Sequence, residues 1–196
     1  MIKQILAPGI ILYKTDKDQV ENIKNAIEKT IEGKWRQAGV VNTDTYDGEL
    51  NTTSRKCYDY AIDQGMTAEE VNLLNLTDAW INPTIEDFRA EYQAENIVRG
   101  PYIYLKYENS DKFDWHIDDG GKYPRTVSVS AYLNDDYEGG EIEFKHYNIS
   151  HKPSAGDIIV FGSSFTYMHR VKPVVSGTRY AVVNWYRYST YPWVIQ

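Results

Sequence analysis

The sequence predicts a mainly β protein with supporting helices, and three observations carry that prediction. From Pro101 onward, short β-rich runs alternate with turn clusters at even spacing, the signature of a sandwich or small barrel. Before Pro101, apolar residues recur instead at the helical spacing of three and four. Hydrophobic residues make up 42% of the chain and charged residues 25%, the balance of a folded soluble protein rather than a disordered one. At 196 residues the chain is expected to be a single domain: 1–100 as helical support with a lid-like segment, 101–188 as the β core, and 189–196 as a tail.

The elements follow in order. Ile5 to Tyr13 is apolar but broken by Pro8-Gly9, with no small-residue cleavage pattern, and is not read as a signal peptide. Asp16 can cap a helix running from Asp18 through Ile27 and ending before Gly33, with Val20, Ile23, Ile27 and Ile31 on one stripe. Val40 to Lys56 is polar and rich in Asn, Thr, Asp and Gly, so a long loop or a hairpin with a loose tip is expected. Thr67 opens a second helix with Glu69-Glu70 in its first turn, and a third is expected after Asn82-Pro83, through Ile85, Phe88 and Tyr92. The predicted strands are Tyr102 to Tyr107, Arg125 to Leu133, Glu141 to Phe144, Asp157 to Phe161, Tyr167 to Val171 and Thr178 to Tyr186. Turns at Asn134-Asp135-Asp136, Gly139-Gly140, Pro153 to Gly156 and Ser176-Gly177 punctuate them. The helices are expected to pack on one outer face of the β unit.

Composition excludes several classes. A net charge of −7 does not suggest an electrostatic grip on nucleic acid or on an anionic membrane, although the summed charge leaves room for a locally basic groove. Cys57 is the only cysteine, so no internal disulfide is possible and an oxidising compartment is not implied. No run approaches the roughly 20 apolar residues of a membrane span. The expectation is an intracellular, cytoplasmic protein with no nucleic-acid or membrane partner.

The chemistry centres on His116-Ile117-Asp118, joined much later by His169 and, ten residues on, by Arg179. In an extended strand, side chains two apart share a face, so His116 and Asp118 would point to one place. His169 from a distant strand would complete a two-His-one-carboxylate set, which holds one face of Fe(II) and leaves the other positions open. Arg179 adds a fixed cation suited to the far carboxylate of a dicarboxylic co-substrate. The pattern reads as an iron- and 2-oxoglutarate-dependent oxygenase. His146 and His151 lie in the polar stretch Lys145 to Pro153 and are read as exposed loop residues, and Asp119 as a turn or supporting residue facing away.

From about Tyr102 to Tyr186 the chain resembles the prolyl-4-hydroxylase-like branch of the Fe(II)/2-oxoglutarate oxygenases. The matching segments are Tyr107 ahead of the His-x-Asp, Ser130 to Asn134, Gly139 to Phe144, Pro153 to Phe161, His169 to Val174, and Gly177 to Tyr180 with Trp185. The resemblance implies a double-stranded β-helix (jelly-roll) core with N-terminal helices on one face. It implies His116, Asp118 and His169 as iron ligands and Arg179 as the partner of the distal carboxylate of 2-oxoglutarate. Tyr132 would assist at that carboxylate, Tyr107 would lie near the keto-acid end, and Ile142 and Trp185 would line the pocket. Fe(II), 2-oxoglutarate and O2 would be required, with ascorbate as a candidate reductant. The branch points to hydroxylation of a peptidyl residue, proline first, with release of succinate and CO2. Val40 to Lys56 and the polar turn Asn109 to Lys112 are candidate lids over a peptide. The competing readings are a non-catalytic β-barrel binding module, an oxygenase of the same class acting on a small molecule, a cupin-like metalloenzyme and a nucleic-acid demethylase.

Overall fold

The computed structural model describes residues 1–41, 48–62, 67–120 and 124–189. The chain opens with a hairpin of β1 (Ile2–Ala7) and β2 (Ile10–Lys14), turned at Pro8-Gly9 where Gly9 takes a positive φ of 73°. Then come α1 (Lys17–Ile31), β3 (Arg36–Gln37), β4 (Val40–Val41), β5 (Gly48–Glu49), β6 (Arg55–Lys56), β7 (Tyr58–Ile62) and α2 (Ala68–Tyr92). The second half supplies β8 (Ile97–Arg99), β9 (Tyr102–Tyr107), β10 (Lys112–His116), β11 (Val127–Tyr132), β12 (Glu138–Gly139) and β13 (Ile142–Phe144). It ends with β14 (Ile149–His151), β15 (Asp157–Gly162), β16 (His169–Val171), β17 (Val174–Ser176) and β18 (Arg179–Tyr188).

Among the described residues, one large antiparallel sheet runs β1-β2-β15-β11-β18-β9-β7-β3 with β8 beside β18, and a smaller sheet runs β14-β13-β16-β10-β6. The strands of the large sheet alternate cleanly between two cores, as the two-residue period of a strand requires. Ile11, Tyr13, Tyr102, Tyr104, Val129, Ala131, Ile158, Val160 and Val182 face the helices, where they pack with Ile23, Leu73, Trp80, Ile81, Ile85 and Phe88. Ile10, Leu12, Leu105, Tyr107, Tyr132, Ile159, Phe161 and Ala181 face the smaller sheet and meet Ile142, Phe144 and Val171. The expected jelly roll with helices on one face is the observed architecture, and the space between the sheets is where the functional side chains gather.

The helices start where the sequence places them. Asp16 accepts the Asp18 N–H, and Thr67 and Glu70 form a reciprocal capping box at the head of α2. The second and third expected helices are one, a single 25-residue α2 that runs through Pro83. A proline removes one intrahelical bond and usually breaks a helix. Here Trp80, Ile81, Thr84, Ile85 and Phe88 are all buried on both sides of it, and each large apolar side chain contributes roughly 1.5–3 kcal/mol of burial. That packing carries the helix across the proline. The large sheet also recruits β1, β2 and β7 from the first hundred residues, a stretch expected to be helical support. Apolar Ile5 to Tyr13 is thus a buttressing hairpin, with β2 hydrogen-bonded to β15.

Two candidate lids fare differently. Val40 to Lys56 contains the β4–β5 hairpin, and its tip, residues 42–47, lies outside the described residues. The turn Asn109 to Lys112 is pinned rather than free: Asp111 is buried, bonded to the Glu108 N–H and to Lys56, and the Ser110 N–H donates to Val174. The expected tail lies outside the described residues from residue 190 onward.

Candidate active site

His116 closes β10 and His169 opens β16, and the two are register partners across the smaller sheet. The strand ends at His116, so Asp118 does not share its face by strand alternation as expected. It returns to His116 through the bend after the strand, and a bulge between Phe113 and His116 turns the imidazole inward. Asp118 Oδ1 lies 3.8 Å from His116 Nε2 and Oδ2 lies 3.7 Å from His169 Nε2. Donor atoms of all three residues fall within 4.8 Å of one another.

Both imidazoles are fixed in the same way. His116 Nδ1–H donates to the Asp114 carbonyl at 2.8 Å and His169 Nδ1–H to the Tyr167 carbonyl at 3.0 Å. With Nδ1 engaged at a carbonyl, each ring turns its Nε2 to the shared point, the atom a metal would take. Phe113 stacks on His116 with 3.5 Å between ring centres, while Phe144 and Phe161 pack on His169. Burial, and then the neighbouring His169, push the His116 imidazole down to about 3. Burial alone would raise the Asp118 carboxyl, but His169, His116, Ser128 and Arg125 together hold it below the usual carboxylate range. Two imidazoles and one carboxylate gathered this way could hold a divalent iron by one face and leave the rest open.

Arg179 opens β18 and is 2% exposed, pointing between the sheets. Its guanidinium carbon stands 4.7 Å from the centre of the Tyr107 ring and 5.0 Å from that of Tyr132. Burial works against its charge, but the oxygens of Tyr137, Tyr132 and Tyr107 outweigh that and raise its pKa. Even so, Arg179 Nε and Nη1 and the hydroxyls of Tyr132 and Tyr137 are buried without a hydrogen-bond partner among the described residues. Four orphaned polar atoms around one buried cation would each cost about 1–3 kcal/mol if left unmet. A carboxylate entering beside this cation would accept from the guanidinium and from a tyrosine hydroxyl, and so the cradle fits the distal end of a 2-oxo dicarboxylic acid. Gly140 makes room for it: a Cβ there would come within 2.9 Å of Arg179 Cδ and 3.0 Å of Tyr137.

The other expected residues sort as follows. Tyr107 and Tyr132 are buried against Arg179, and Ile142 is buried on β13 beside Val171 of β16. Trp185 shares the Arg179 face of β18 by strand alternation and carries the guanidinium of Arg125 at 3.7 Å from its ring centre. Asp119 supports the bend, accepting the Arg125 N–H while its own N–H donates to Ser163. His146 is exposed, as expected. His151 is not: it sits in β14, half-buried, with Nε2 2.9 Å from the buried Asp157. The sequence reading missed Tyr137, Arg125 and Arg55. Tyr137 has the plainest signal, since it lies between Asn134-Asp135-Asp136 and Gly139-Gly140, two segments already tied to the pocket.

Residues 102–187 match the model of the 2OG-Fe(II) oxygenase superfamily. A PKHD-type hydroxylase of Pseudomonas fluorescens is 26% identical over 194 residues, covering 91% of this chain and 75% of its own length. With other bacterial PKHD-type hydroxylases the match is higher, 31–36%, but spans only 37–42% of their length. Among solved structures, a prolyl-4-hydroxylase of Pseudomonas putida superposes with a TM-score of 0.68 at 20% identity, covering 92% of both chains. A Trichoplax adhaerens prolyl hydroxylase, solved with a hypoxia inducible factor oxygen degradation domain peptide fragment, gives a TM-score of 0.68 at 18% identity over 91% of this chain and 83% of that one. The jelly roll, the His–Asp–His set and the match over residues 102–187 agree in what this chain is similar to, the dioxygenases of the 2OG-Fe(II) oxygenase superfamily.

Proposed function

We propose that the chain is a single oxygenase domain that hydroxylates a peptidyl residue, proline first, with conversion of 2-oxoglutarate and O2 to succinate and CO2. The observation that carries this is the pairing, within one inter-sheet space, of an open His116–Asp118–His169 set with the orphaned Arg179–Tyr132–Tyr137 cradle. In this reading His116, Asp118 and His169 hold Fe(II), which activates oxygen when bound. Arg179 grips the distal carboxylate of 2-oxoglutarate and so fixes which end of the co-substrate meets the metal. Tyr132 and Tyr137 complete that grip, Tyr107 walls the pocket toward the metal side, and Ile142 shapes its floor. Phe113, Phe144 and Phe161 exclude water around the imidazoles, which strengthens every charge interaction inside. Trp185, carrying the Arg125 guanidinium on its ring, lines the pocket on the Arg179 face of β18.

Three features support a peptidyl substrate. The relatives are hydroxylases by name, a structural neighbour is a prolyl-4-hydroxylase, and another was solved holding a peptide fragment. Gly39, just before β4, accepts from Arg55 of β6, the edge strand next to β10, which ends at His116. Ascorbate fits as an external reductant restoring Fe(II). A reducing intracellular setting suits the one buried thiol, Cys57. Among the described residues, no helix is long and apolar enough to cross a membrane.

The test is a screen of proline-containing peptides with Fe(II), 2-oxoglutarate and ascorbate, reading succinate release and peptide mass together. The expected result is one peptide that gains a single oxygen atom at proline for each succinate formed. Stoichiometric succinate with oxygen gained on another residue, or only on a free small molecule, would replace the prolyl assignment.

A further inference from the structure

Two guanidinium groups flank the metal-binding set, and neither has a carboxylate partner among the described residues. Arg125 lies just before β11, its Nη1 donating to the Asp118 backbone carbonyl at 3.2 Å and its plane resting on Trp185. Arg55 lies in β6, 4.8 Å from the centre of the Phe113 ring that stacks on His116. Its Nη1 donates to the Gly39 carbonyl at 2.8 Å, while its Nε is buried with no hydrogen-bond partner among the described residues.

Among the described residues, the acids nearby are already engaged. Asp118 turns its carboxylate to the two imidazoles, Asp119 accepts a backbone N–H, and Asp59 is paired with Arg36 at 2.7 Å. Burial pulls the Arg125 pKa down, Asp118 pulls it up, and Arg55 pushes it down further, so the two cations are close enough to repel. Half-burying two like charges without a counter-ion is costly. The chain has 28 acidic residues against 21 basic ones, yet none forms an ion pair with either arginine among the described residues. A role confined to holding the Asp118 loop would need one hydrogen-bond donor, not a second cation opposite it.

We infer that Arg55 and Arg125 form a carboxylate-reading pair at the mouth of the site, and that the substrate carries an anionic group next to the residue that is hydroxylated. The inference rests on the peptide reading above and names the peptide's chemistry. Each guanidinium has donors free for a charge-assisted bond, and two of them bracket one carboxylate in a fixed orientation. The net charge of −7 repels acidic peptides at long range, so the preference arises locally. The carboxylate can come from an Asp or Glu side chain beside the target or from the peptide's own C-terminus.

The experiment measures binding, so it does not depend on turnover. Two fluorescent pools of short proline peptides, identical except that one has Asp and Glu where the other has Asn and Gln, are titrated onto the Mn(II)- and 2-oxoglutarate-loaded protein by anisotropy. Each pool is made with a free and with an amidated C-terminus. The acidic pool is expected to bind about tenfold tighter, with the difference falling below about threefold in Arg55→Gln and Arg125→Gln and largely kept in Arg55→Lys and Arg125→Lys. A preference that survives amidation assigns the side chain, and one present only with the free terminus assigns the terminal carboxylate. Equal binding of the pools, no binding of either, or a preference untouched in both Gln variants overturns the inference. A charge preference in binding without succinate release under turnover conditions supports the pair and removes the prolyl hydroxylation reading.

Discussion

Asp118 and the two imidazoles are held in place by what touches them: backbone carbonyls engage each Nδ1, and phenyl rings pack against both imidazoles. His169→Ala or Asp118→Ala is expected to weaken Fe(II) binding at least about a hundredfold, measured by anaerobic titration, because one of only three anchors is lost. Arg179→Ala should leave iron affinity intact and raise KM for 2-oxoglutarate about a hundredfold, since a buried charge-assisted contact contributes roughly 3 kcal/mol. Tyr137→Phe should raise the same KM only several-fold, the loss of one neutral hydrogen bond of about 1 kcal/mol. At this scale the triad and Arg179 were legible because residue type and order carry the chemistry. Tyr137 was not, being one of 17 tyrosines whose role depends on a turn bringing it under Arg179. Arg55 was hidden for a different reason: it arrives on a two-residue strand that no periodicity announces.

Elements place these side chains, and the long helix braces the sheet that bears Arg179. Trp80 donates to Thr15, Thr77 bonds Tyr104 at 2.8 Å, and Asp87 holds both Tyr13 and Lys3. Thr67→Ala removes one half of the capping box and should lower stability by about 1 kcal/mol in denaturant unfolding, with iron binding unchanged. Burial would raise the Asp87 carboxyl, but Lys3 and then Tyr13 outweigh it and hold it below its ordinary range. A depressed carboxyl stabilises the fold above the unfolded value of about 3.9, and that stabilisation is lost as pH falls through the lower folded value. Asp87→Asn should therefore flatten the acid limb of the stability profile below about pH 4, by no more than about 1 kcal/mol because the pair is partly solvent-screened. The strands from β9 onward were legible because turn residues bracket each β-rich run. The continuity of α2 was not, because burial on both sides of Pro83 is a tertiary fact. The β1–β2 hairpin was equally hidden, since its apolar run becomes a strand only by pairing with β15, more than 140 residues away.

Among the described residues, a large sheet braced by helices on one side faces a smaller sheet that carries two of the three residues of the candidate metal set, His116 and His169. This arrangement couples stability to occupancy, because the site exists only when the sheets are packed. Fe(II) and 2-oxoglutarate should each raise the melting temperature, by an increment set by mass action at about 2.7 kcal/mol for a ligand at a hundred times its Kd. The 2-oxoglutarate increment should vanish in Arg179→Ala while the metal increment remains. The most direct test of the central claim, that one inter-sheet space binds iron and a 2-oxo acid together, is an anaerobic absorption measurement. Fe(II) and 2-oxoglutarate are added to metal-free protein, and the visible charge-transfer band of an iron-chelated keto acid is recorded in the parent, His116→Ala and Arg179→Ala. The account predicts a band in the parent, none in His116→Ala, and in Arg179→Ala a band that appears only at much higher 2-oxoglutarate. Iron binding in the parent with no band at any 2-oxoglutarate concentration would contradict it.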